Sequence, residues 1–407
     1  MPRRAAVEAG MMFRLDDVRR LIWFGAMSVG AAASPALAGG QDAGTDPAWV
    51  WDAAYTADVI GVVAGDAPRA GRYLDDLSVG VDGDLERQFG WTGTRVHFSL
   101  LANHGGEPNA VAGTLQGYDN IEVAAQKVRL YEAWVEHDVA GAGSVLAGLY
   151  DVNSEFYVTG TSDLLLAPPF GIGSELASTG PNGPAIFPST ALAVRLRVGA
   201  ADATYVQVAA VNARAGTLGD VDGVDTTLDD GLLYLAEAGR SGPVRIAAGV
   251  WRYGETQPDI RRLAPSGDPA RSRAQGAYLL AEGTVVTLPQ GGTLGAFARV
   301  GVSDGDTTDF RGGWQAGLRL DSIMPGRPDS ALSLGVHQGL LSDKARANAV
   351  DAGTAFARAE SGIELTYADT LGPFTIQPDL QWIHHPGGEQ DRDPILIAGV
   401  RLIWTVR

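Results

Sequence analysis

The chain has 407 residues, enough for two or three ordinary globular domains or for one large barrel. Its formal net charge of −17 argues against a nucleic-acid partner, because phosphate binding needs a basic surface. It contains no cysteine, which excludes a disulfide framework and a thiolate metal site. Hydrophobic residues make up 45% of the chain, yet they are dispersed, and no run after residue 39 is long enough for a membrane helix.

The N-terminal segment has the order of a secretory signal peptide. Three arginines precede an apolar stretch that ends in small residues, in the order Arg14, Arg19, Arg20, Leu21–Ala33 and Ala36-Leu37-Ala38. A membrane anchor is the alternative, but the apolar run is shorter than the ~20 residues that a helical span needs. We therefore predict that residues 1–38 are cleaved and that residues 39–407 form the exported chain.

Beyond that segment, apolar and polar residues alternate, as in strands that have one apolar and one polar face. The pattern recurs in Arg95–Asn103, Ala191–Gly199, Leu294–Val302, Trp314–Leu320, Phe374–Trp382 and Leu396–Val406. These segments are about nine to eleven residues long, which is the length of a tilted membrane-spanning strand. Turn-forming clusters such as Asp304-Gly305-Asp306 and Pro386-Gly387-Gly388 separate them. Helical periodicity is weak, and no shift in composition marks a second domain.

Two architectures produce this pattern: a soluble β-sandwich and a membrane β-barrel. The barrel is favoured because the polar face repeatedly carries arginine and glutamate, as a water-filled lumen would. Tryptophans also lie near the ends of segments, where the aromatic girdles of a barrel belong, namely Trp91, Trp314, Trp382 and Trp404. We predict an all-β fold, a transmembrane antiparallel barrel of about 14 to 18 strands, with sixteen as the central value.

Residues 152–189 form a long segment that lacks clean alternation and is rich in glycine and proline. Long loops in compact proteins are usually functional or disordered. In a barrel of this size the functional version folds into the lumen and narrows it, so we predict a pore-constricting loop. An external surface loop is the alternative.

The stretch that begins at Arg129 supplies candidate contacts for a carbohydrate. Glu132, Trp134 and Glu136 fall on one face, which their charges assign to the lumen, and Tyr131 falls on the opposite, lipid-facing side. An indole beside two carboxylates suits a sugar ring that has one apolar face and several hydroxyls. The alternative is a tryptophan that packs against the inward loop.

Further charged residues fall on the polar faces of predicted strands. The arginines are Arg95, Arg195, Arg197, Arg299 and Arg319, and the additional carboxylates are Glu360 and Glu364. Opposite charges on facing walls would set a transverse field across a pore, and rings of charged side chains are one means of selection. The alternative is that these charges only hydrate the wall.

Several short stretches, in order, resemble the OprB-type family of carbohydrate-selective porins. They are Leu130–Glu136, Ala147–Phe156, Phe170–Gly173, Gly180–Pro188, Phe297–Gly301, Pro325–Asp329, Ile376–Trp382 and His385–Gly388. The resemblance implies a sixteen-stranded outer-membrane barrel that admits sugars by passive diffusion. It also makes Asn153 and Glu155, where the long segment begins, candidate site residues. One departure is that the chain ends on Arg407 rather than on the aromatic residue by which the assembly machinery recognises such barrels.

Enzymatic and metal-dependent functions find little support in the sequence. Glu132 and Glu136 are neighbours on one strand face, which does not make a cleft around a scissile bond. His384-His385 lacks further ligands, and Asp220, Asp222 and Asp225 lack the spacing of a calcium loop. We predict no cofactor, no metal and no enzymatic activity. The expected partners are carbohydrate solutes, outer-membrane lipid and the barrel-assembly machinery, in a monomer or a trimer. A general, non-selective porin is the leading alternative, followed by an outer-membrane enzyme and a soluble β-rich binding protein.

Overall fold

The computed structural model describes residues 47–139, 141–199, 203–288 and 291–406. The predicted signal peptide and Arg407 lie outside these residues. Within them the strands are β1 (Trp49–Gly65), β2 (Gly71–Asp84), β3 (Thr94–Gly105), β4 (Lys127–Val139), β5 (Gly143–Tyr150), β6 (Ala191–Gly199), β7 (Thr204–Asn212), β8 (Leu232–Arg240), β9 (Val244–Tyr253), β10 (Gln257–Leu263), β11 (Pro269–Ser272), β12 (Gln275–Thr287), β13 (Thr293–Ser303), β14 (Phe310–Asp321), β15 (Ala331–Leu341), β16 (Ala359–Leu371), β17 (Phe374–His384) and β18 (Ile395–Val406).

Sixteen of the described strands form one closed antiparallel barrel, which confirms the predicted fold class. Each barrel strand pairs with its neighbours in the chain, β9 pairs with β12, and β18 closes the ring on β1. The short strands β10 and β11 form a separate two-stranded sheet within the connection from β9 to β12. All six alternating segments of the sequence lie in barrel strands, because a period of two is a local property that the pleated strand imposes.

Four α-helices lie in the described connections: α1 (Leu85–Phe89), α2 (Asn109–Ala112), α3 (Ser174–Ala177) and α4 (Asp343–Asp351). Among the described residues, no helix combines the length and apolarity that a membrane span requires. The connections alternate between the two ends of the barrel. One end, called here the long-loop end, carries residues 66–70, 106–126, 151–190, 213–231, 254–274, 304–309, 342–358 and 385–394; the other, the short-turn end, carries the remaining connections.

The two faces of each strand differ in the way that the alternation predicts. In β6, Val194 and Val198 are 53% and 52% exposed on the outside of the barrel, whereas Arg195 between them points inward and is 2% exposed. Apolar side chains on the outer face suit lipid, and barrel closure lets the backbone groups pair within the sheet.

The hydrophobic core lies inside the barrel, between the wall and two inward-folded connections. One cluster joins Phe156, Tyr157 and Leu176 of connection 151–190 to the wall at Leu235 and Trp251. A second cluster joins Tyr118 and Ile121 of connection 106–126 to Ile60, Leu74 and Ile397. Burying each such side chain contributes about 1.5–3 kcal/mol relative to exposure. The two connections therefore pack against the inner face of the wall.

One predicted side-chain orientation is wrong. Tyr131 was expected to face lipid, but the register of β3 and β4 shifts between the pairs Ser99–Glu132 and Leu100–Leu130, leaving Tyr131 in a β-bulge. Its hydroxyl instead donates to Asp151 Oδ2 at 2.5 Å, and its ring lies 6.4 Å from that of Phe187. The bulge thus turns Tyr131 toward the two ends of connection 151–190.

Barrel closure is reinforced by an internal ion pair between β1 and β18. Arg401 Nη2 lies 2.6 Å from Asp58 Oδ2, and the same guanidinium reaches Asn120 Oδ1 at 2.8 Å and Asp119 Oδ1 at 3.4 Å. The side chains of Asp58 and Arg401 are 1% and 9% exposed. Removing one partner of such a pair leaves a buried charge without compensation.

We therefore expect Arg401→Gln to lower the free energy of unfolding by about 3 kcal/mol, and the double variant Asp58→Asn/Arg401→Gln to recover part of that loss. Urea unfolding of the refolded barrel in detergent, followed by tryptophan fluorescence, measures both. Strictly additive losses in the double variant would show that the two side chains are not energetically coupled.

Candidate channel site

Connection 151–190 enters the barrel directly after β5 and leaves it directly before β6. Its first turn is fixed by Asp151, whose Oδ1 accepts from the backbone N–H of Asn153 at 2.7 Å. The Asn153 amide then donates to the carbonyls of Phe156 and Gly171, both at 3.2 Å. Asn153, a candidate from the sequence, therefore ties two distant parts of the loop together.

Arg299 on β13 is the main anchor of this loop to the wall. Its Nη1 donates to the carbonyls of Tyr157 at 2.9 Å and Gly171 at 2.8 Å, and its Nη2 donates to that of Pro169 at 2.6 Å. The guanidinium also lies over the ring of Tyr157, 5.4 Å from its centroid. Since Arg299 is 2% exposed, its charge serves the loop rather than open water.

Three wall glutamates accept hydrogen bonds from backbone N–H groups of the same loop. Glu364 accepts from Ala167 at 2.9 Å and also from Leu166. Glu237 Oε2 accepts from Tyr157 at 3.1 Å, and Glu282 Oε2 accepts from Thr161 at 2.9 Å. These carboxylates lie on β16, β8 and β12, so the loop is held across much of the lumen. Glu364 is a candidate from its sequence pattern, whereas Glu237 and Glu282 were not predicted, although each occupies the polar face of an alternating segment.

Glycines of the wall give the loop room to approach. A Cβ atom on Gly301 would overlap the Glu175 carboxylate, and one on Gly335 would overlap the ring of Phe170. Phe170 itself lies edge-on to Phe297 at 6.0 Å and to His337 at 5.3 Å. Close packing of loop against wall therefore depends on missing side chains at these strand positions.

Connection 106–126 is a second inward loop, which the sequence analysis did not identify. Glu360 accepts from the backbone N–H groups of Leu115, Gln116 and Gly387 at 2.8, 2.9 and 2.8 Å. On the same side, Gln381 donates to the Tyr118 carbonyl at 2.8 Å. The run 59–63 could have predicted this inward loop. Both faces of the strand are apolar there, so the inner face must be buried by another segment of the chain.

Opposite charges meet near the short-turn end, where Glu136 bridges two arginines. Arg195 Nη2 lies 2.9 Å from Glu136 Oε1, and Arg95 Nη2 lies 3.0 Å from Glu136 Oε2. Glu155 completes the cluster, 2.6 Å from Arg195 Nε and 3.9 Å from Arg197 Nη1. Arg195 is buried, whereas the side chain of Arg95 is 53% exposed. Only part of this cluster is therefore accessible to a solute.

Trp134 has one face covered by His97, whose ring lies 5.1 Å away at an interplanar angle of 21°. Trp134 also packs against the buried cluster that contains the long loop. His97 Nδ1 lies 2.8 Å from Asp82 Oδ1, and its Nε2 lies 4.0 Å from Glu132 Oε2. This geometry favours the packing alternative for Trp134 and adds His97 and Asp82 to the polar wall.

The remaining candidates occupy different settings. Arg319 Nε lies 2.7 Å from Asp321 Oδ1, and Arg319 also pairs with Asp163 of the long loop. Glu360 and Glu364 were expected to face arginines across the pore, but among the described residues their hydrogen bonds go to loop backbone, Gln116 and Thr366. The described residues contain no group of three or more His, Asp or Glu side chains arranged to hold a metal ion.

Several carboxyl groups within the inward loops have raised pKa values, and Glu175 and Glu122 are two of them. Burial raises the pKa of Glu175, whose Oε1 accepts from the Tyr157 hydroxyl at 2.8 Å. Burial also raises the pKa of Glu122 to about 7, although its two oxygens accept from the Asn109 backbone N–H, each at 3.1 Å. The inward position of the loops therefore raises the pKa of these carboxyl groups, because burial disfavours their charged form.

A closed, antiparallel barrel with an apolar outer face and inward loops held by charged wall residues defines the porin class of outer-membrane proteins. The chain matches the carbohydrate-selective porin family, OprB, over residues 68–406, and it belongs to that family. It is therefore a porin of the bacterial outer membrane.

Individual proteins are similar to this chain in sequence or in fold. Porin B of Pseudomonas aeruginosa is 23% identical over 379 residues, covering 83% of this chain and 82% of that protein. The high-pH structure of OprB from Pseudomonas putida superposes with a TM-score of 0.79 at 21% identity, covering 88% of this chain and 94% of that one. The anion-selective porin from Comamonas acidovorans has a TM-score of 0.53 at 13% identity, covering 88% and 99%.

Removing the main loop anchor should open the lumen. We expect Arg299→Gln to lower the free energy of unfolding by about 3 kcal/mol, because charge-assisted bonds to three carbonyls are lost, and to raise single-channel conductance. Planar-bilayer recording measures the conductance, with Arg240→Gln on the outer face of β8 as the control. An Arg299→Gln channel with the parent conductance would contradict the anchoring role.

The raised pKa of Glu122 predicts a pH dependence. Because the folded protein holds this proton more tightly than the unfolded chain, stability should fall as the pH rises from about 4.5 to about 7 and should not fall further on this account. Glu122→Gln should remove that part of the fall. Urea unfolding at several pH values measures it, with Glu255→Gln at an exposed position of connection 254–274 as the control, and parallel profiles for protein and variant would refute the prediction.

Proposed function

We propose that connection 151–190 narrows the channel and that mono- and small oligosaccharides pass through the space that it leaves, down their gradient. The observation that carries this proposal is the anchoring of the loop to wall residues on β8, β12, β13 and β16, through Glu237, Glu282, Arg299 and Glu364. A loop fixed at so many points is a permanent part of the lumen rather than a mobile external segment.

The solute route runs along the part of the wall whose inner-face side chains remain exposed. Near the short-turn end, the side chains of Asp82 and Arg95 are 51% and 53% exposed, and His97 and Glu132 lie between them. Such a surface offers donors and acceptors to hydroxyl groups without a dominant charge of either sign. A neutral sugar gains hydrogen bonds there, whereas an ion is repelled by the wall charge of its own sign.

Passage requires neither covalent chemistry nor an energy source, and we propose that the protein acts only as a channel. Residues 1–38 direct the export of the chain and are removed, and the barrel-assembly machinery then inserts the barrel. The mature barrel functions as a monomer or a trimer, and in either case each barrel contains a complete lumen. The mass of the protein purified from outer membranes tests the cleavage after Ala38.

A general, non-selective porin is the second candidate, because Trp134 is partly covered by His97 and offers less ring surface to a sugar than an open indole would. The two candidates predict different rates of passage for solutes of the same size. A carbohydrate-selective porin distinguishes such solutes by their chemistry, and a general porin does not.

Liposome swelling distinguishes them. We expect proteoliposomes containing the refolded mature chain to swell faster in glucose than in a zwitterionic amino acid of similar size, because only the sugar passes without charge desolvation. A disaccharide should enter more slowly than glucose. The double variant Asp82→Asn/Arg95→Gln should reduce the ratio of sugar to amino-acid rates, with Trp91→Ala at the exposed turn as the control. Rates that follow solute size alone would establish the general porin instead.

A further inference from the structure

The outer face of β8, β9, β12 and β13 carries a row of polar side chains at the long-loop end. The strand register places Tyr234 beside Arg252 and Arg252 beside Gln275. Asp304 continues the row, since its backbone N–H donates to the Gln275 carbonyl at 3.0 Å. With strands about 4.8 Å apart, the row spans roughly 14 Å.

Beneath this row, toward the middle of the barrel wall, the side chains are apolar and include four alanines. The next row in the same register is Ala236, Val250, Ala277 and Val302, and the one after it is Ala238, Ala248, Leu279 and Val300. Elsewhere on the outer face such positions carry larger side chains, for example Leu318 and Leu334. Ala236 and Ala277, with Val250 and Val302, line a groove of about 540 Å³ whose lining also includes Tyr234, Arg252 and Asp304.

The two charged side chains at the head of the groove, Asp304 and Arg252, differ in their hydrogen-bond partners. The Asp304 carboxylate is engaged by its own turn, because Oδ2 accepts from the backbone N–H groups of Asp306 and Thr307, both at 2.9 Å. The side chain of Arg252 is exposed, and its guanidinium has no hydrogen bond or ion pair to any residue that the structure describes. The unsatisfied charge of the row is therefore a guanidinium, which is a strong donor to phosphate.

The setting of the groove determines what can occupy it. It opens on the lipid-facing side of an outer-membrane barrel, at the end that carries the long loops, which is the extracellular end in barrels of this kind. A guanidinium at headgroup level above an apolar groove is complementary to an amphiphile that has a phosphate and an acyl chain. Tyr234 and Gln275 add a hydroxyl and an amide beside the guanidinium for the polar groups of the same molecule.

We propose that this groove binds a phosphorylated, acylated lipid of the outer leaflet, with the phosphate on Arg252 and an acyl chain along Ala236 and Ala277. The site lies on the outer face, across the wall from the lumen, so it is separate from the sugar route. The bound lipid fills the recess in the wall, which restores an even apolar surface toward the surrounding membrane. It also supplies the acceptor that Arg252 lacks.

Native mass spectrometry of the purified, refolded mature chain in detergent tests the proposal. The probes are a diphosphoryl lipid A, the same lipid without its phosphates, and inorganic phosphate. We expect the phosphorylated lipid to bind with defined stoichiometry and Arg252→Gln to weaken its binding by about tenfold or more, because a charge-assisted contact is lost. Arg240→Gln, which removes an exposed outer-face arginine at the short-turn end of β8, should bind as the parent does.

A second variant tests the acyl-chain part of the site. Ala277→Leu should weaken binding of the lipid by filling the groove, whereas Ala57→Leu, on the outer face of β1, should not. Unchanged heat-modifiable mobility and an unchanged glucose swelling rate would show that each variant is a folded, open barrel. Equal losses in Arg252→Gln and Arg240→Gln would overturn the proposal, as would equal binding of the two lipids. Displacement of the lipid by millimolar inorganic phosphate would show that the site binds an anion only. A dimer that forms through this face would show that the groove binds a second copy of the chain instead of a lipid.

Discussion

Backbone hydrogen bonding in lipid is the constraint on which the rest of this molecule depends. A strand that crosses the membrane must pair both of its edges, and the antiparallel sheet achieves this only by closing β18 on β1. Closure at this circumference creates an interior that is too wide for wall side chains to fill. Two chain segments, 106–126 and 151–190, enter this interior and pack on the wall through a hydrophobic core. The core of this protein is thus enclosed by its sheet.

Segments folded into a barrel bring their own backbone polar groups, which need partners where no regular sheet is available. The wall supplies these partners through charged side chains. Arg299 donates to loop carbonyls, and Glu360 and Glu364 accept from loop N–H groups. Many of the charges that the alternation assigns to the lumen therefore hold the loops in place. The charges left in contact with solvent, such as Arg95 and Asp82, are those available to a passing solute.

The outer face follows a simpler rule, because lipid accepts any apolar side chain. Polar or unusually small side chains on this face therefore indicate a specific contact. The row from Tyr234 to Asp304 places polar groups at headgroup level above a strip of alanines, while neighbouring parts of the wall carry larger apolar residues. A recess of this kind in an otherwise convex surface must be filled by lipid, and the unpaired guanidinium of Arg252 determines which lipid is bound most tightly.

The sequence by itself determined the strands, their two faces and the family, because a period of two and short ordered motifs are local properties of the chain. It also indicated that 152–189 is no strand. The partners of the wall charges were decided only by the tertiary structure: Glu364 binds Leu166, 198 residues earlier in the chain, and nothing local to either residue specifies the other. The bulge that turns Tyr131 inward was likewise missed, since it depends on the register between strands. The inward course of 106–126 was missed because it depends on packing against the wall. The alternation predicts which side of the wall a side chain faces, whereas barrel closure and loop packing determine which residues it contacts there.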